Sequence, residues 1–270
     1  MRYTYPVRPK RITSPDNPLI KALRRVKGGA GRKAFIIEGP HLIESALDAS
    51  AVPLRVFFAE GFKGRGLLLR LSAQPVEMYE IPESLIRRLS GTETPQGILA
   101  VVSLKQARLD ELGPKERDLI AVSDGVSDPG NMGTLIRAAD AAGADAVLAL
   151  PGSCDPFMPK ALRAAAGSVF NIPVVHADSG EFLMWAKKNG IRLVFTAGDA
   201  EMSVYEADLT GPLALVFGNE SRGVSPGLRA ASGTGLRVPI FGKAESLNVA
   251  VTAALCLYEA RRQRRAVSRD

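Results

Sequence analysis

Three short loops hold most of the polar residues whose types and spacing suggest chemistry. The first runs Asp124-Gly125-Val126-Ser127-Asp128-Pro129-Gly130-Asn131-Met132-Gly133-Thr134-Leu135-Ile136-Arg137. It is a turn-rich stretch that feeds a helix, with Asn131 placed as an N-cap and Arg137 facing out of the first turns. It is not a GxGxxG fingerprint and lacks the P-loop lysine, which counts against dinucleotide and ATP binding. By itself Arg137 reads as an ordinary solvated helix arginine. The second loop, Phe217-Gly218-Asn219-Glu220-Ser221-Arg222-Gly223-Val224, puts the Glu220 carboxylate just past an apolar strand. Gly218 there leaves room for a ligand to approach the backbone, although an ordinary strand-to-helix turn would look the same. The third, Val238 to Ala250, contains Ser246-Leu247-Asn248. Ser246 resembles an N-cap, whereas Asn248 falls inside the following helix, where Asn is a poor former and nearly everything after it is apolar. A polar side chain held at a buried helix start suggests a hydrogen-bonding task.

The elements that must position these loops follow from hydrophobic periodicity. Short apolar strands are expected at Leu119–Ser123, Ala146–Leu150, Ile172–Val175, Ile191–Thr196 and Leu213–Phe217. They alternate with helices at Met132–Ala142, Lys160–Ala166, Phe182–Lys188 and Ser246–Arg262, two of which stop at Gly143 and Gly167. Continuous apolar strands alternating with helices imply a parallel sheet covered on both faces, with ligands beyond the strands' carboxyl ends. The loops after Ser123, Phe217 and Val238 are then the ones on the functional edge. The first half reads as a smaller α/β unit. A helix around Leu19–Val26 precedes strands at Phe35–Glu38, Arg55–Ala59, Val76–Ile81 and Gly97–Ser103, with helices from Gly39-Pro40 through Leu47, at Leu67–Ser72 and at Pro82–Leu89. A polar break at 104–117 marks the boundary, giving domains 1–107 and 108–270, and a fragment starting near Leu109 is expected to fold.

Charge separates the two halves. Residues 1–110 carry 18 Lys and Arg against 10 Asp and Glu, while the remainder carries 17 against 18. Ten of the basic residues lie in the first 33, including Arg11, Lys21, Arg24, Arg25, Arg32 and Lys33. Such a field attracts polyanions, with RNA or DNA the commonest, and these six side chains are the candidate nucleic-acid contacts. The stretch lacks the amphipathic pattern of a membrane-surface helix, and Pro6, Pro9, Pro15 and Pro18 would break a transit-peptide helix. No apolar run approaches the length of a membrane span. Two cysteines, Cys154 and Cys256, lie far apart, which fits a reducing cytoplasm better than a disulfide framework. Together with His41 and His176 they form no metal-ligand spacing, so no metal is expected.

Taken in order, N-x-G-x-x-x-R after a strand, then G-N-E-x-x-G, then S-L-N-V-A resemble the three motifs of the SpoU/TrmH branch of the SPOUT methyltransferases. Asp155-Pro156, Lys160, Leu162-Arg163 and Ala166-Gly167 are similar to that family's intervening segment. Ile12-Thr13-Ser14 with Asn17-Pro18 is similar to its N-terminal arm. Phe35 to Leu47, with Glu38-Gly39 and His41-Leu42, resembles its ribosomal-protein-like substrate-binding domain. Ala165 stands where many relatives have Ser, Ser221 where Gly is common, and Val238 where Ile is frequent.

The resemblance implies an α/β fold with a trefoil knot in the C-terminal parallel-sheet domain, a homodimer, and S-adenosylmethionine held by Gly218, Val238 and Leu247 with Thr196 and Ala197 nearby. It implies methyl transfer to a ribose 2′-hydroxyl of RNA, ribosomal RNA before tRNA, with Arg137 as the catalytic arginine. A guanidinium's ordinary pKa above 12 makes it a poor base, since removing its proton at pH 7 costs ~7 kcal/mol. Arg137 is therefore expected to bind the adjoining phosphate and stabilise developing alkoxide charge. Asn131 would orient Arg137 or the ribose, and Glu220, Ser246 and Asn248 would shape the pocket. Two alternatives remain open: a catalytically silent RNA-binding or ribosome-assembly protein of the same fold, and a base-modifying relative.

Overall fold

The computed structural model describes residues 9–27, 34–103, 107–113 and 118–267. Contacts divide the chain into two compact units: Met1–Lys105 with Phe157–Phe170, and Gln106–Pro156 with Asn171–Asp270.

The first unit is built on a mixed sheet of β1 (Lys10–Arg11), β2 (Ala34–Glu38), β3 (Arg55–Ala59), β4 (Glu77–Ile81) and β5 (Ile98–Ser103), in the order β1-β4-β3-β5-β2. β1, β4 and β3 run parallel, and β5 is antiparallel to both β3 and β2. β3 is buried on both faces at Val56, Phe57, Phe58 and Ala59, so it reads as a continuous apolar run. Four helices accompany the sheet: α1 (Pro18–Lys27), α2 (Pro40–Asp48), α3 (Arg65–Ser72) and α4 (Glu83–Leu89). α1 buries Ile20 and Leu23 and turns Lys21, Arg24 and Arg25 to solvent, the division an amphipathic helix makes. Of the expected RNA contacts, Arg11 is paired to Glu60 at 2.5 Å and Lys21 to Asp16 at 3.2 Å. Arg24 and Arg25 have no partner among the described residues, and Arg32 and Lys33 lie outside them.

The second unit holds seven strands, β6 (Leu119–Asp124), β7 (Ala146–Ala149), β8 (Val174–His176), β9 (Arg192–Thr196), β10 (Met202–Ser203), β11 (Leu213–Gly218) and β12 (Thr234–Arg237). Their order is β10-β12-β9-β11-β6-β7-β8, with every pairing parallel. All six residues of β6 and of β11 are buried, as expected of central strands covered on both sides. The helices after β5 are α5 (Pro129–Ala141), α6 (Pro159–Ala165), α7 (Ser179–Lys188), α8 (Pro226–Ser232) and α9 (Val249–Val267), with α9 packed on α5. From β6 the chain steps outward through β7 and β8, then returns to the far side through β9 and β11. The reversal falls at the β6–β11 pair, and in sheets of this kind the carboxyl ends at such a reversal are where ligands bind.

The segment Phe157–Phe170, with α6, packs with the first unit although its neighbours in sequence belong to the second. The Phe35 ring lies 5.3 Å from that of Phe157 and 6.0 Å from that of Phe170, centroid to centroid. Gly167, at φ +98°, presses so closely on Ser45 that a Cβ would sit 2.7 Å from its side chain.

Candidate active site

The register of β6 and β11 sets Gly218 opposite Asp124, so the first two motif loops leave the sheet side by side. Their backbones are tied at once: Asn219 Nδ2 donates to the Gly125 carbonyl (2.8 Å), and Ser225 N–H donates to Asp124 Oδ2 (2.6 Å). Glu220 then reaches across to the first loop. Its carboxylate accepts from Ser127 N–H (3.2 Å), Ser127 Oγ (3.1 Å), Asp128 N–H (3.2 Å) and Asn131 Nδ2 (2.9 Å). Asn131 Oδ1 in turn accepts from Asn248 Nδ2 (2.8 Å), which brings in the third loop. Asn248 Oδ1 accepts from Ala250 and Val251 N–H at 2.9 and 3.3 Å.

The polarity of this chain of amides is set at both ends. A carboxylate only accepts, so Asn131 must face it with nitrogen; backbone N–H groups only donate, so Asn248 must face them with oxygen. Both orientations follow from the network, and each amide keeps one N–H without a partner among the described residues. Partial burial raises the Glu220 pKa, but the hydrogen bonds from Asn131 and from backbone N–H groups outweigh it and pull the group down from 4.5 to about 2. The lowered folded value means that Glu220 stabilises the fold fully above pH 4.5 and loses that contribution as the pH falls toward 2. Glu220→Gln turns an amide nitrogen toward donors and is expected to cost about 1–2 kcal/mol at neutral pH, the low end because the residue is exposed. It should also flatten the acid limb, and urea unfolding from pH 7 to 3 that cannot tell the two proteins apart would contradict both effects.

Several expectations are corrected by this geometry. Asp128, not Asn131, caps α5: its Oδ1 accepts from Asn131 N–H (3.0 Å), and Pro129 takes the first helical position where no N–H is needed. Asn248 is neither inside α9 nor buried. It is the exposed residue that caps α9, and Ser246 lies two residues outside the helix, so an Asn that looked misplaced in a helix is in its preferred position. The space a Cβ would take at Gly218 is filled by the backbone of Gly223 and Val224, so the glycine serves the loop, which folds back on itself, and does not open a side-chain-sized gap for a ligand. Asn131 orients neither Arg137 nor anything else on α5, since its bonds go to Glu220 and Asn248. Arg137 is exposed six residues further along the helix, about 240° around its axis, and neither it nor Ser246 has a hydrogen-bond partner among the described residues.

The residues expected around the cofactor gather at the ends of three adjacent strands. Thr196 closes β9, Gly218 closes β11, and Val238 follows β12, with Thr196 in register with Leu236. Thr196 Oγ1 donates to the Val216 carbonyl (3.3 Å) and Ala197 N–H to the Leu236 carbonyl (2.9 Å), which pins the three ends together. Beyond them, residues 241–248 are all exposed, and Phe241 and Leu247 remain 93% and 37% accessible. Apolar side chains left in water on a loop that follows a strand end are what a bound apolar or aromatic group would cover. Cys154, close to the same loops, is held protonated: burial first, then Asp128, Asp155 and Glu220, push its thiol up to about 11. Sequence reasoning missed β12, α8, the cap Asp128 and the loop-tying Asn219. The last two were legible in principle, as an Asp before Pro and an Asn after a strand glycine.

Comparison with known proteins agrees with this arrangement. Residues 118–258 match the SpoU rRNA methylase family, and residues 17–100 match the MRM3-like substrate-binding domain. The chain is 35% identical over 255 residues to the 23S rRNA (guanosine(2553)-2′-O)-methyltransferase RlmP of Bacillus subtilis, covering 93% of this chain and 99% of that protein. It resembles the crystal structure of an AdoMet-bound rRNA methyltransferase from Sinorhizobium meliloti, with TM-score 0.85 at 31% identity, over 94% of this chain and 97% of that one. A similar likeness, TM-score 0.85 at 28% identity over 92% and 98% of the two chains, holds for the SpoU methyltransferase AviRb of Streptomyces viridochromogenes in complex with AdoMet. The chain belongs to the SpoU rRNA methylase family, with an MRM3-like substrate-binding domain ahead of the methylase domain.

Proposed function

We propose that this protein transfers the methyl group of S-adenosylmethionine to a ribose 2′-hydroxyl of ribosomal RNA. The observation that carries the reading is the continuous Asn248–Asn131–Glu220 chain, which joins all three motif loops beyond the carboxyl ends of β6 and β11.

The strand-end residues Thr196, Ala197, Gly218 and Val238, with Leu247 and the loop before it, would hold the cofactor; the exposed apolar groups there fit its adenosine. When bound, the cofactor supplies a sulfonium methyl, an already activated group whose transfer calls for no metal. The protein's own task is to place the ribose oxygen in line and to manage its charge. Asn131 and Asn248 each retain an amide N–H able to bind the ribose. Glu220, at about 2, is too weak a base to take the ribose proton and serves to hold the amides. Arg137, exposed and without a partner among the described residues, suits the adjoining phosphate and the negative charge that develops on the 2′-oxygen. Ser246 belongs to the same exposed loop as Leu247 and would shape the cofactor site.

Family membership also supports a trefoil knot in the C-terminal sheet domain, a cytoplasmic location, and a substrate-binding domain at 1–107 ahead of a methyltransferase domain at 108–270. A homodimer also fits, because α9 shows solvent a stripe of Val251, Leu255 and Tyr258 spaced four and three residues apart along one face.

The test is direct. Purified protein incubated with methyl-labelled S-adenosylmethionine and large-subunit RNA should place the label on ribose 2′-oxygen, with no loss in EDTA. Label recovered on a base, or activity that needs a divalent ion, would refute the reading.

A further inference from the structure

The first unit carries a cleft that the methyl-transfer reading does not use. It has a volume of about 600 Å3 and lies between the turn after β3, the loop from Glu93 to Gly97, and α4. Its walls are built rather than incidental. Ala59 N–H donates to the Gly97 carbonyl (2.8 Å), joining the two loops at the base. The segment before the second loop is pinned by Glu38, whose carboxylate accepts from Gly91 N–H (3.0 Å), Thr92 Oγ1 (2.9 Å) and Ser90 Oγ.

Phe62 supplies the aromatic wall. Its ring is fixed between two glycines: a Cβ at Gly64 would overlap the ring edge, and one at Gly97 would lie 3.3 Å from Cδ2. Side chains larger than hydrogen at either position would displace the ring, so both backbones serve as its clamp. Around it the polar groups are mostly acceptors. Glu60 is paired with Arg11 and Glu83 with Arg87 (2.7 Å), which leaves the exposed Glu93 carboxylate and Gln96 at the rim. Glu93 has no partner among the described residues.

With Glu60 and Glu83 neutralised by Arg11 and Arg87, the charge left on the lining is the Glu93 carboxylate, which disfavours phosphate within a half of the chain that is otherwise strongly basic. The part of RNA that suits such a place is a base. Single-stranded RNA is read by splaying bases onto aromatic rings and bonding their Watson–Crick edges. An ionised carboxylate accepts only, with two oxygens side by side, and guanine alone among the four bases offers two adjacent donors, N1–H and N2–H, on that edge. We infer that the Phe62–Glu93 cleft binds an unstacked guanine of the RNA substrate, with Phe62 as the stacking platform and Glu93 as the acceptor of the Watson–Crick edge. This rests on RNA being the substrate, but concerns a base read by the first unit and not the methylated ribose.

The experiment measures binding of the full chain, without cofactor, to fluorescent single-stranded oligoribonucleotides of uridine containing one central guanosine, inosine or adenosine. Guanosine should bind about fivefold or more above adenosine, with inosine, which lacks the N2 amine, between them. Phe62→Leu, which keeps the apolar volume, should weaken all three purine probes about fivefold or more. Glu93→Gln should remove the guanosine preference. Neither should alter the salt slope, since neither touches a phosphate. Equal affinity for the probes, a preference that survives Glu93→Gln, or competition by free guanosine monophosphate as strong as by the oligonucleotide would overturn the proposal. S-adenosylmethionine binding and the position of the methyl label are read separately, so failure here leaves the ribose assignment standing.

Discussion

Replacing Arg137 with alanine is expected to slow methyl transfer by ~100-fold or more while leaving cofactor affinity nearly unchanged. The size follows from the role: a preorganised charge at the developing alkoxide acts in the transition state, so its loss falls on kcat. The indifference of cofactor binding follows from position. Arg137 stands on the solvent face of α5, whereas the strand-end residues lie at β9, β11 and β12. The cost to stability should be small, because the side chain has no hydrogen bond or ion pair among the described residues to lose. Arg137→Lys should recover little, since a point charge does not reproduce the two-pronged geometry of a guanidinium on phosphate. Single-turnover transfer and calorimetric titration with S-adenosylmethionine separate the two effects. Turnover within a few-fold of the parent in either variant would remove Arg137 from the mechanism.

Comparing Arg137 with Asn131 shows how far the site could be read from residues alone. Both belong to the first motif, yet one is fastened to Glu220 and Asn248 while the other is unattached. Spacing along a helix predicts which side chains share a face, and these two, six apart, do not. The partners of Asn131 lie 89 and 117 residues away, so only the strand order that sets β6 beside β11 brings them together. Long apolar strands such as β3, β6 and β11 were legible because burial on both faces demands continuous hydrophobic runs. β12 was not: in Thr234-Gly235-Leu236-Arg237 only Leu236 is buried, and Gly235 is small because the Phe195 ring lies where its Cβ would be. The observed boundaries of α5 and α9 differ from the expected ones for one shared reason. Residue type beside the apolar run points to Asn131 and Ser246, while the actual caps, Asp128 and Asn248, are identified by which N–H groups they accept from.

A fragment beginning near Leu109, which a boundary drawn in the polar break would favour, is expected to fail as an independent domain. Residues 157–170 lie inside its sequence but pack with the unit it lacks. In the full chain Phe157, Ala161, Leu162 and Ala165 are buried, and Phe35 on β2 meets both Phe157 and Phe170. Exposing one large apolar side chain costs about 1.5–3 kcal/mol, so uncovering Phe157 and Leu162 together approaches the ~5 kcal/mol at the lower end of a domain's stability. The fragment should bind hydrophobic dyes, aggregate, and be cut by protease between residues 157 and 170, where the full chain resists. A gentler version of the same test keeps the whole protein. Phe35→Ala removes the ring that the segment packs on, and should cost about 3–5 kcal/mol, as truncation of a buried aromatic does. Its damage should be local as well as global, with faster amide exchange in 157–170 than in β6 or β11, because the lost contacts belong to that segment. A Leu109–Asp270 fragment that unfolds cooperatively at the parent's temperature, with 157–170 protected from exchange, would show that the segment finds its fold without the first unit.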